Sequence, residues 1–157
     1  MTGELPHLNT EGEVHMVDVG GKDVTVRRAT AEARVRMSPG LTERLFAGEL
    51  PKGDALATVR IAGIMAAKKT PDLIPLAHPI GLDSVEVRVE RADTGVRIVS
   101  ECSVRARTGV EMEALTAAAV AALALYDMVK GVERDVVIEG VRLLSKSGGR
   151  SGDWTAQ

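Results

Sequence analysis

Asp127 and Lys130 lie three residues apart near the end of a segment rich in Ala and Leu. In a helix this spacing places both side chains on one face, where an Asp and a Lys most often form a surface ion pair of little energetic value. In a second interpretation the ammonium keeps the carboxylate ionised as a proton acceptor, while the lysine serves as the acid. Spacing alone favours the surface pair, so the surrounding residues must decide.

His78 is the second candidate for chemistry. It follows the apolar run 73–77 and precedes Pro79, which biases the backbone of the histidine towards an extended conformation. An imidazole held in this way could bind a substrate near neutral pH, although a lone histidine is more often a structural residue. The neighbouring residues support the two interpretations equally.

Two basic segments could attract anions. Lys52 stands between Pro51 and Gly53 just before a predicted helix N-terminus, where an ammonium and free amides both favour negative charge. Residues 145–152 read Ser-Lys-Ser-Gly-Gly-Arg-Ser-Gly, which resembles a phosphate-binding loop but matches neither the P-loop nor the dinucleotide pattern. The alternative for Lys52 is an ordinary loop lysine without a binding role. The alternative for 145–152 is a flexible tail, which composition alone favours.

Glu111 and Glu113 open the Ala-rich segment, where carboxylates in a first helical turn are adequately explained by helix capping. Alternatively, they could accept hydrogen bonds from the amino and ring NH groups of a base such as guanine, which requires no aromatic residue. No His, Cys and Asp cluster has the spacing of metal ligands, so no metal site is predicted.

The secondary structure that positions these residues can be predicted from the hydrophobic periodicity of the sequence. Strict alternation predicts a strand over 28–37 with Arg28, Thr30, Glu32, Arg34 and Arg36 on a solvent-exposed face. The other predicted elements are a short helix ending at Gly48, a helix from Asp54 to about Lys69 stopped by Thr70-Pro71, a hairpin over 84–106, a helix over 111–130 and a strand over 136–144. This order predicts an α+β fold, the ferredoxin-like split β-α-β arrangement, with an antiparallel sheet covered by helices on one face.

Length and hydrophobic content bound the domain organisation. The 157 residues predict one domain, in which 1–20 is a mobile N-terminal arm and 21–157 is a single catalytic domain. Within it, the Gly-rich C-terminal segment 147–157 is predicted to be flexible.

Composition excludes several classes of function. The 20 Lys and Arg residues nearly balance 22 Asp and Glu residues, and aromatic residues make up only 2%, which argues against nucleic-acid binding. The single cysteine, Cys102, allows no intrachain disulfide and fits a reducing compartment. The sequence shows no uninterrupted apolar span and no signal peptide at its N-terminus, so we expect no membrane association and a cytoplasmic location.

Several segments, in the same order, resemble the cyclic pyranopterin monophosphate synthase family, the C protein of molybdenum cofactor biosynthesis. The resemblance covers roughly residues 12–152. It is carried by His15–Val19, Lys52–Asp54, Arg60–Ile64, Asp72–Pro79, Thr108–Thr116, Tyr126–Met128 and Lys146–Gly149. So many matching stretches in one order favour the functional interpretation of Asp127 and Lys130.

The resemblance implies a lyase that converts a 3′,8-cyclised dihydroguanosine 5′-triphosphate, a small molecule derived from GTP, into cyclic pyranopterin monophosphate with release of diphosphate. No cofactor is expected, and Mg²⁺ accompanying the triphosphate is left open. By matching position, the resemblance implies catalytic roles for Asp127, Lys130, Lys52 and His78. It implies substrate binding by Leu76, Ala77, His78, Glu111, Met112, Glu113 and Lys146. Ala77 stands where some relatives carry Cys, so a thiol there cannot be required.

The resemblance also implies a homohexamer, a trimer of dimers, with sites at subunit interfaces. Glu113 and Asp127 are 14 residues apart, or roughly 21 Å along one helix. Because this distance is large for one compact pocket, we expect a neighbouring subunit to supply one end of each site. The competing hypotheses are a non-catalytic nucleotide-binding regulatory module and, less favoured, an interaction protein whose charged pairs have no function.

Overall fold

The computed structural model describes residues 6–157, which form five strands and four helices around one sheet. The strands are β1 Thr25–Arg36, β2 Ser84–Ala92, β3 Gly95–Ala106, β4 Val137–Ser147 and β5 Trp154–Thr155. The helices are α1 Pro39–Ala47, α2 Ala55–Lys68, α3 Thr70–Leu73 and α4 Glu111–Val129. The sheet is antiparallel in the order β2-β3-β1-β4-β5, and its first four strands have the predicted ferredoxin-like arrangement.

Small side chains bring α4 close to the sheet. The inward residues of β1, Ala29, Ala31 and Ala33, are buried, as are Ala114, Ala117, Ala118 and Ala121 of α4. Because alanine adds little volume, helix and sheet backbones approach closely and the core fills without large side chains. By length and composition alone α4 could cross a membrane, but its buried residues pack in this core.

Helix α2 packs against α4 at Gly63. A Cβ atom added there would lie 2.9 Å from Cγ2 of Val87, 3.2 Å from the main-chain oxygen of Ala117 and 3.3 Å from Cβ of Ala121. Gly63 lies within α2 and has an ordinary helical backbone, so its conformation does not demand glycine. Glycine is required here because the crossing leaves no space for a side chain.

The sheet face opposite the helices differs from prediction at one residue. Glu32 shares the outward parity of Arg34, yet it is only 1% exposed. The guanidinium groups of Arg34, Arg97 and Arg142 surround its carboxylate, with Arg142 Nε 2.8 Å from Oε1. Burial alone would raise the pKa of Glu32, but the hydrogen bonds from Arg97, Arg142 and Arg34 outweigh it and lower the pKa to about 2.

Helix boundaries largely follow their capping residues. Ser38 accepts a hydrogen bond from the amide of Leu41, Asp54 accepts one from the amide of Ala57, and Gly48 ends α1 in the left-handed conformation. Helix α2 ends at Lys68, as the stop at Thr70-Pro71 predicted, and the same two residues begin the short helix α3, which was not predicted. Proline is favoured in a first helical turn, and the Thr70 hydroxyl binds the main-chain oxygens of Ala66 and Ala67 at the end of α2.

Both terminal segments have hydrogen-bonded structure of their own in the described residues. The amide of His15 donates to the main-chain oxygen of His7 within the predicted arm, of which residues 1–5 lie outside the described residues. At the other terminus, Gly148 and Gly149 have φ values of 90° and 79°, and the chain turns so that Trp154 lies opposite Lys146. The flexibility predicted for 147–157 stays a prediction. The structure shows that this segment contains the turn and the short strand β5.

Candidate active site

The carboxylate of Asp127 lies between two ammonium groups at the C-terminal end of α4. Lys130 Nζ is 2.8 Å from Oδ1, and Lys52 Nζ is 3.0 Å from Oδ2. Lys52 Nζ also donates to the main-chain oxygen of Asp127 at 2.8 Å. All three side chains are about half exposed, so this group of residues, here called the catalytic cluster, is open to a ligand.

The loop between α1 and α2 positions Lys52. Leu50 is buried and fixes the start of the loop, while Gly53, with φ of 94°, turns the chain into the N-cap Asp54. Lys52 lies between these two fixed points, and its side chain extends from the loop to Asp127 at the end of α4. Sequence spacing predicted the Asp127–Lys130 pair, and the fold adds Lys52 to it.

Electrostatics fix the charge state of the catalytic cluster. The hydrogen bond from Lys130, with help from Lys52, lowers the pKa of Asp127, and the same contact raises the pKa of Lys130. At neutral pH the cluster therefore carries one carboxylate and two ammonium groups, with a net positive charge. This arrangement can bind an anionic group through the ammonium groups while keeping an ionised proton acceptor beside it.

A second group of predicted residues lies at the other end of α4. A cavity of about 110 Å³ is bounded by Ala77 and His78 on one side and by Thr108, Gly109, Glu111, Met112 and Glu113 on the other. We call it the recognition pocket. Leu76 occupies the turn just before Ala77 and is partly buried, outside the lining of the pocket.

Glu113 is the most deeply buried acid of the recognition pocket, with 3% of its surface exposed. Burial, and to a smaller extent the charge of Glu111, raise its pKa to about 6, against a hydrogen bond from its own backbone that lowers it. A carboxyl group that titrates near neutral pH can accept a hydrogen bond when ionised and donate one when protonated. Such a group suits the edge of a heterocyclic base.

His78 and Lys146 are held by neighbouring segments. Nε2 of His78 lies 2.7 Å from the main-chain oxygen of Val17, so the arm positions the imidazole. Nζ of Lys146 lies 3.1 Å from Oε1 of Glu111 and 3.2 Å from the hydroxyl of Ser151. The structure thus groups His78 with the residues expected to bind substrate and separates it from Asp127.

The predicted site residues therefore form two groups at opposite ends of one helix. Glu113 and Asp127 belong to the first and last turns of α4, which places them roughly 21 Å apart. Neither the recognition pocket nor any of four other cavities formed by the described residues contains both. Within residues 6–157, no group of three or more His, Cys, Asp or Glu side chains is placed to hold a metal ion.

Sequence reasoning missed two basic residues beside the recognition pocket, Lys22 and Arg27. They line a cavity with Arg150 of the C-terminal turn. One sequence signal was available for Arg27, because it has the inward parity of Ala29 and Ala31, an unusual place for an arginine.

Comparison with known proteins matches almost the whole chain. The family model described as the MoaC family matches residues 16–149. A Corynebacterium glutamicum protein called cyclic pyranopterin monophosphate synthase is 54% identical over 154 residues, which cover 98% of this chain and 99% of its own. Proteins of the same name from Herpetosiphon aurantiacus and Corynebacterium efficiens are 58% and 53% identical, covering 96% and 97% of this chain and 93% and 98% of their own. The similarity spans both ends of α4.

Proposed function

The chain belongs to the MoaC family and is an enzyme of molybdenum cofactor biosynthesis, and we propose that it makes cyclic pyranopterin monophosphate from a 3′,8-cyclised dihydroguanosine 5′-triphosphate. The reaction closes a cyclic phosphate and releases diphosphate, which makes it a lyase reaction. Relatives named as synthases match nearly the full chain, so a non-catalytic nucleotide-binding module is not favoured.

The observation that carries this proposal is the ionised carboxylate of Asp127 held between two ammonium groups. Ring rearrangement and cyclic phosphate formation both move protons near a highly charged triphosphate. In our proposal Asp127 accepts a proton, Lys130 donates one, and Lys52 stabilises negative charge that develops on the substrate. The net positive charge of the cluster supports binding of a phosphate group beside the proton acceptor.

The recognition pocket supports binding of the base. Glu111 and Glu113 supply carboxylate oxygens for the amino and ring NH groups of a guanine-derived ring, and Met112 and Ala77 supply apolar surface. His78, held by Val17, would donate or accept at the same ring system. In this proposal Lys146 positions Glu111 through their ion pair and balances its charge.

We further propose that one catalytic cluster and one recognition pocket meet across a subunit interface in a homohexamer built from dimers. Their separation along α4 supports this arrangement, because one small substrate cannot reach both ends of a 19-residue helix. Exposed apolar side chains on the outer helix faces, Ile61, Met65 and Leu123, each more than half exposed, support burial against another copy. We place the reaction in the cytoplasm, with any Mg²⁺ entering as the counter-ion of the triphosphate.

Product formation from the cyclised substrate tests the proposed function. The purified protein is incubated with the 3′,8-cyclised triphosphate, and cyclic pyranopterin monophosphate and diphosphate are quantified separately. We expect the two products in equal amounts. Binding of the substrate without either product would contradict the proposal and favour the nucleotide-binding module.

A further inference from the structure

A cationic cavity lies at the end of the sheet where β1 begins and β4 ends. Its volume is about 370 Å³, and Lys22, Arg27 and Arg150 contribute three positive charges to its lining against the single negative charge of Asp23. We call it the anion cavity. The chain as a whole carries a net charge of −2, so the positive excess is local to this cavity.

Two buried polar atoms beside the anion cavity have no hydrogen-bond partner among the described residues. Among the described residues, the buried side-chain polar atoms without a hydrogen-bond partner are Oγ1 of Thr25 and Nε of Arg27, and both residues line this cavity. Buried polar groups are almost always hydrogen-bonded, and an unpaired charged donor is especially costly. These two buried atoms border a cavity whose lining is cationic.

Glycine is favoured where the C-terminal turn covers Arg27. Gly149 has φ of 79°, and a Cβ atom there would collide with the guanidinium group of Arg27. The turn is fixed by the carboxylate of Asp153, which accepts a hydrogen bond from the amide of Gly148 at 3.1 Å. The Gly-rich segment that resembled a phosphate-binding loop thus forms one wall of the anion cavity.

Two links join the anion cavity to the recognition pocket. Lys146 contacts Glu111 of the recognition pocket and Ser151 of the anion cavity. In addition, Nε of Arg107 donates to the main-chain oxygen of Lys22 at 3.1 Å, and the next residue, Thr108, lines the recognition pocket. A ligand whose base occupies the recognition pocket therefore has a cationic cavity beside it in the same chain.

We propose that the anion cavity binds the β- and γ-phosphates of the substrate triphosphate and the diphosphate that they become. This inference rests on the proposed function. When the cyclic phosphate closes, a substrate hydroxyl oxygen bonds to the α-phosphorus and gives its proton to Asp127. The bond from that phosphorus to the oxygen bridging to the β-phosphate breaks, and its electron pair leaves with diphosphate. Lys22, Arg27 and Arg150 neutralise the charge gained by this leaving group.

Calorimetric titration with inorganic diphosphate tests the cavity directly, without any turnover. We expect saturable binding to the wild-type protein, weakened roughly tenfold or more in Arg150→Gln and in Arg27→Gln, since each loses a charge-assisted contact. Arg150 is exposed, so its variant is expected to fold even if Arg27→Gln does not. Arg44→Gln on α1, which also loses an arginine but lies outside the cavity, should bind like wild type.

Two results would overturn the inference. One is unchanged diphosphate affinity in Arg150→Gln, and the other is equal affinity of the wild-type protein for diphosphate, phosphate and sulfate. Kinetics separate this inference from the proposed function. If product forms but Arg150→Gln leaves both KM and inhibition by diphosphate unchanged, only the anion cavity is wrong. If diphosphate binds as expected but the cyclised substrate gives no product, the proposed function fails and the inference about substrate phosphates fails with it, leaving a diphosphate-binding cavity.

Discussion

Lys52 and Asp127 are 75 residues apart in the sequence, yet the ammonium of one lies 3.0 Å from the carboxylate of the other. Lys52 also binds the main-chain oxygen of Asp127, so it contacts both the backbone and the side chain at the end of α4. Because Lys130 occupies the other carboxylate oxygen, Asp127 cannot rotate without losing a charged contact. The fold thus orients the proton acceptor through two ammonium groups.

Asp127→Asn should abolish most product formation while the protein stays folded. The amide cannot accept a proton at neutral pH, and loss of a general base typically costs about 100-fold or more in rate. The side chain is more than half exposed, so we expect an unchanged melting temperature. The measurement is the initial rate of cyclic pyranopterin monophosphate formation. Glu139→Gln, which breaks the exposed ion pair with Arg36, is the matched control and should retain full activity. A near-normal rate in Asp127→Asn would rule out its role as the base.

Mixed oligomers should recover activity from two inactive variants. If each site combines the recognition pocket of one subunit with the catalytic cluster of another, random assembly of Asp127→Asn with Glu113→Gln subunits leaves about a quarter of the sites intact. We expect the co-assembled protein to regain about that fraction of wild-type turnover. Separately prepared variants, combined without subunit exchange, provide the control. If one subunit supplied the complete site, co-assembly would restore nothing.

The protonation of Glu113 should make stability depend on pH. Its pKa is raised from 4.5 to about 6 in the folded protein, so the folded state retains a proton that the unfolded state releases. The free energy of unfolding should therefore fall as the pH rises through this window, by about 2 kcal/mol in total. Urea unfolding of wild type and Glu113→Gln should show this as a difference that grows from pH 4.5 to 7 in favour of the variant. A difference that is constant with pH would contradict the raised pKa.

Gly63→Ala should destabilise the protein by about 1–3 kcal/mol, because the new methyl group overlaps Val87 and the backbone of Ala117. The control is Gly40→Ala on α1, where a Cβ atom meets nothing within 4 Å and the helix should gain about 0.4–1 kcal/mol. Both values follow from urea unfolding at one pH. Stabilisation by Gly63→Ala would show that α2 and α4 can separate without cost.

Local patterns in the sequence predicted β1 to β4 and helices α1, α2 and α4 in their order, but not the short elements α3 and β5. Alternation of period two identified the inward face of β1, and Ser38, Gly48 and Asp54 marked helix boundaries, because capping depends on residues a few positions apart. Alternation could not predict that Glu32 is buried. The alternation within β1 shows that Glu32 points outward. It does not show that Arg97 of β3 and Arg142 of β4 cover the carboxylate, because those residues are distant in the sequence.

The candidate site was predictable to the same extent. The i, i+3 spacing paired Asp127 with Lys130, and the length of α4 predicted that Glu113 lies far from both. The approach of Lys52 and the contact between His78 and Val17 depend on how distant segments pack, which no local pattern contains. The anion cavity was missed for the same reason, since it forms only when the C-terminal turn covers the start of β1.

Strand β5 also gives the protein an intrinsic spectroscopic reporter. Trp154 is the only tryptophan in the chain, and it lies opposite Lys146 beside the Gly148–Ser151 turn. All indole fluorescence therefore originates from the segment that walls the anion cavity, and Trp154 is partly exposed to solvent. If the emission of the unlabelled protein changes during turnover, the rate of that change can be compared with the rate of product formation. The comparison would show whether this segment moves before or after the chemical step.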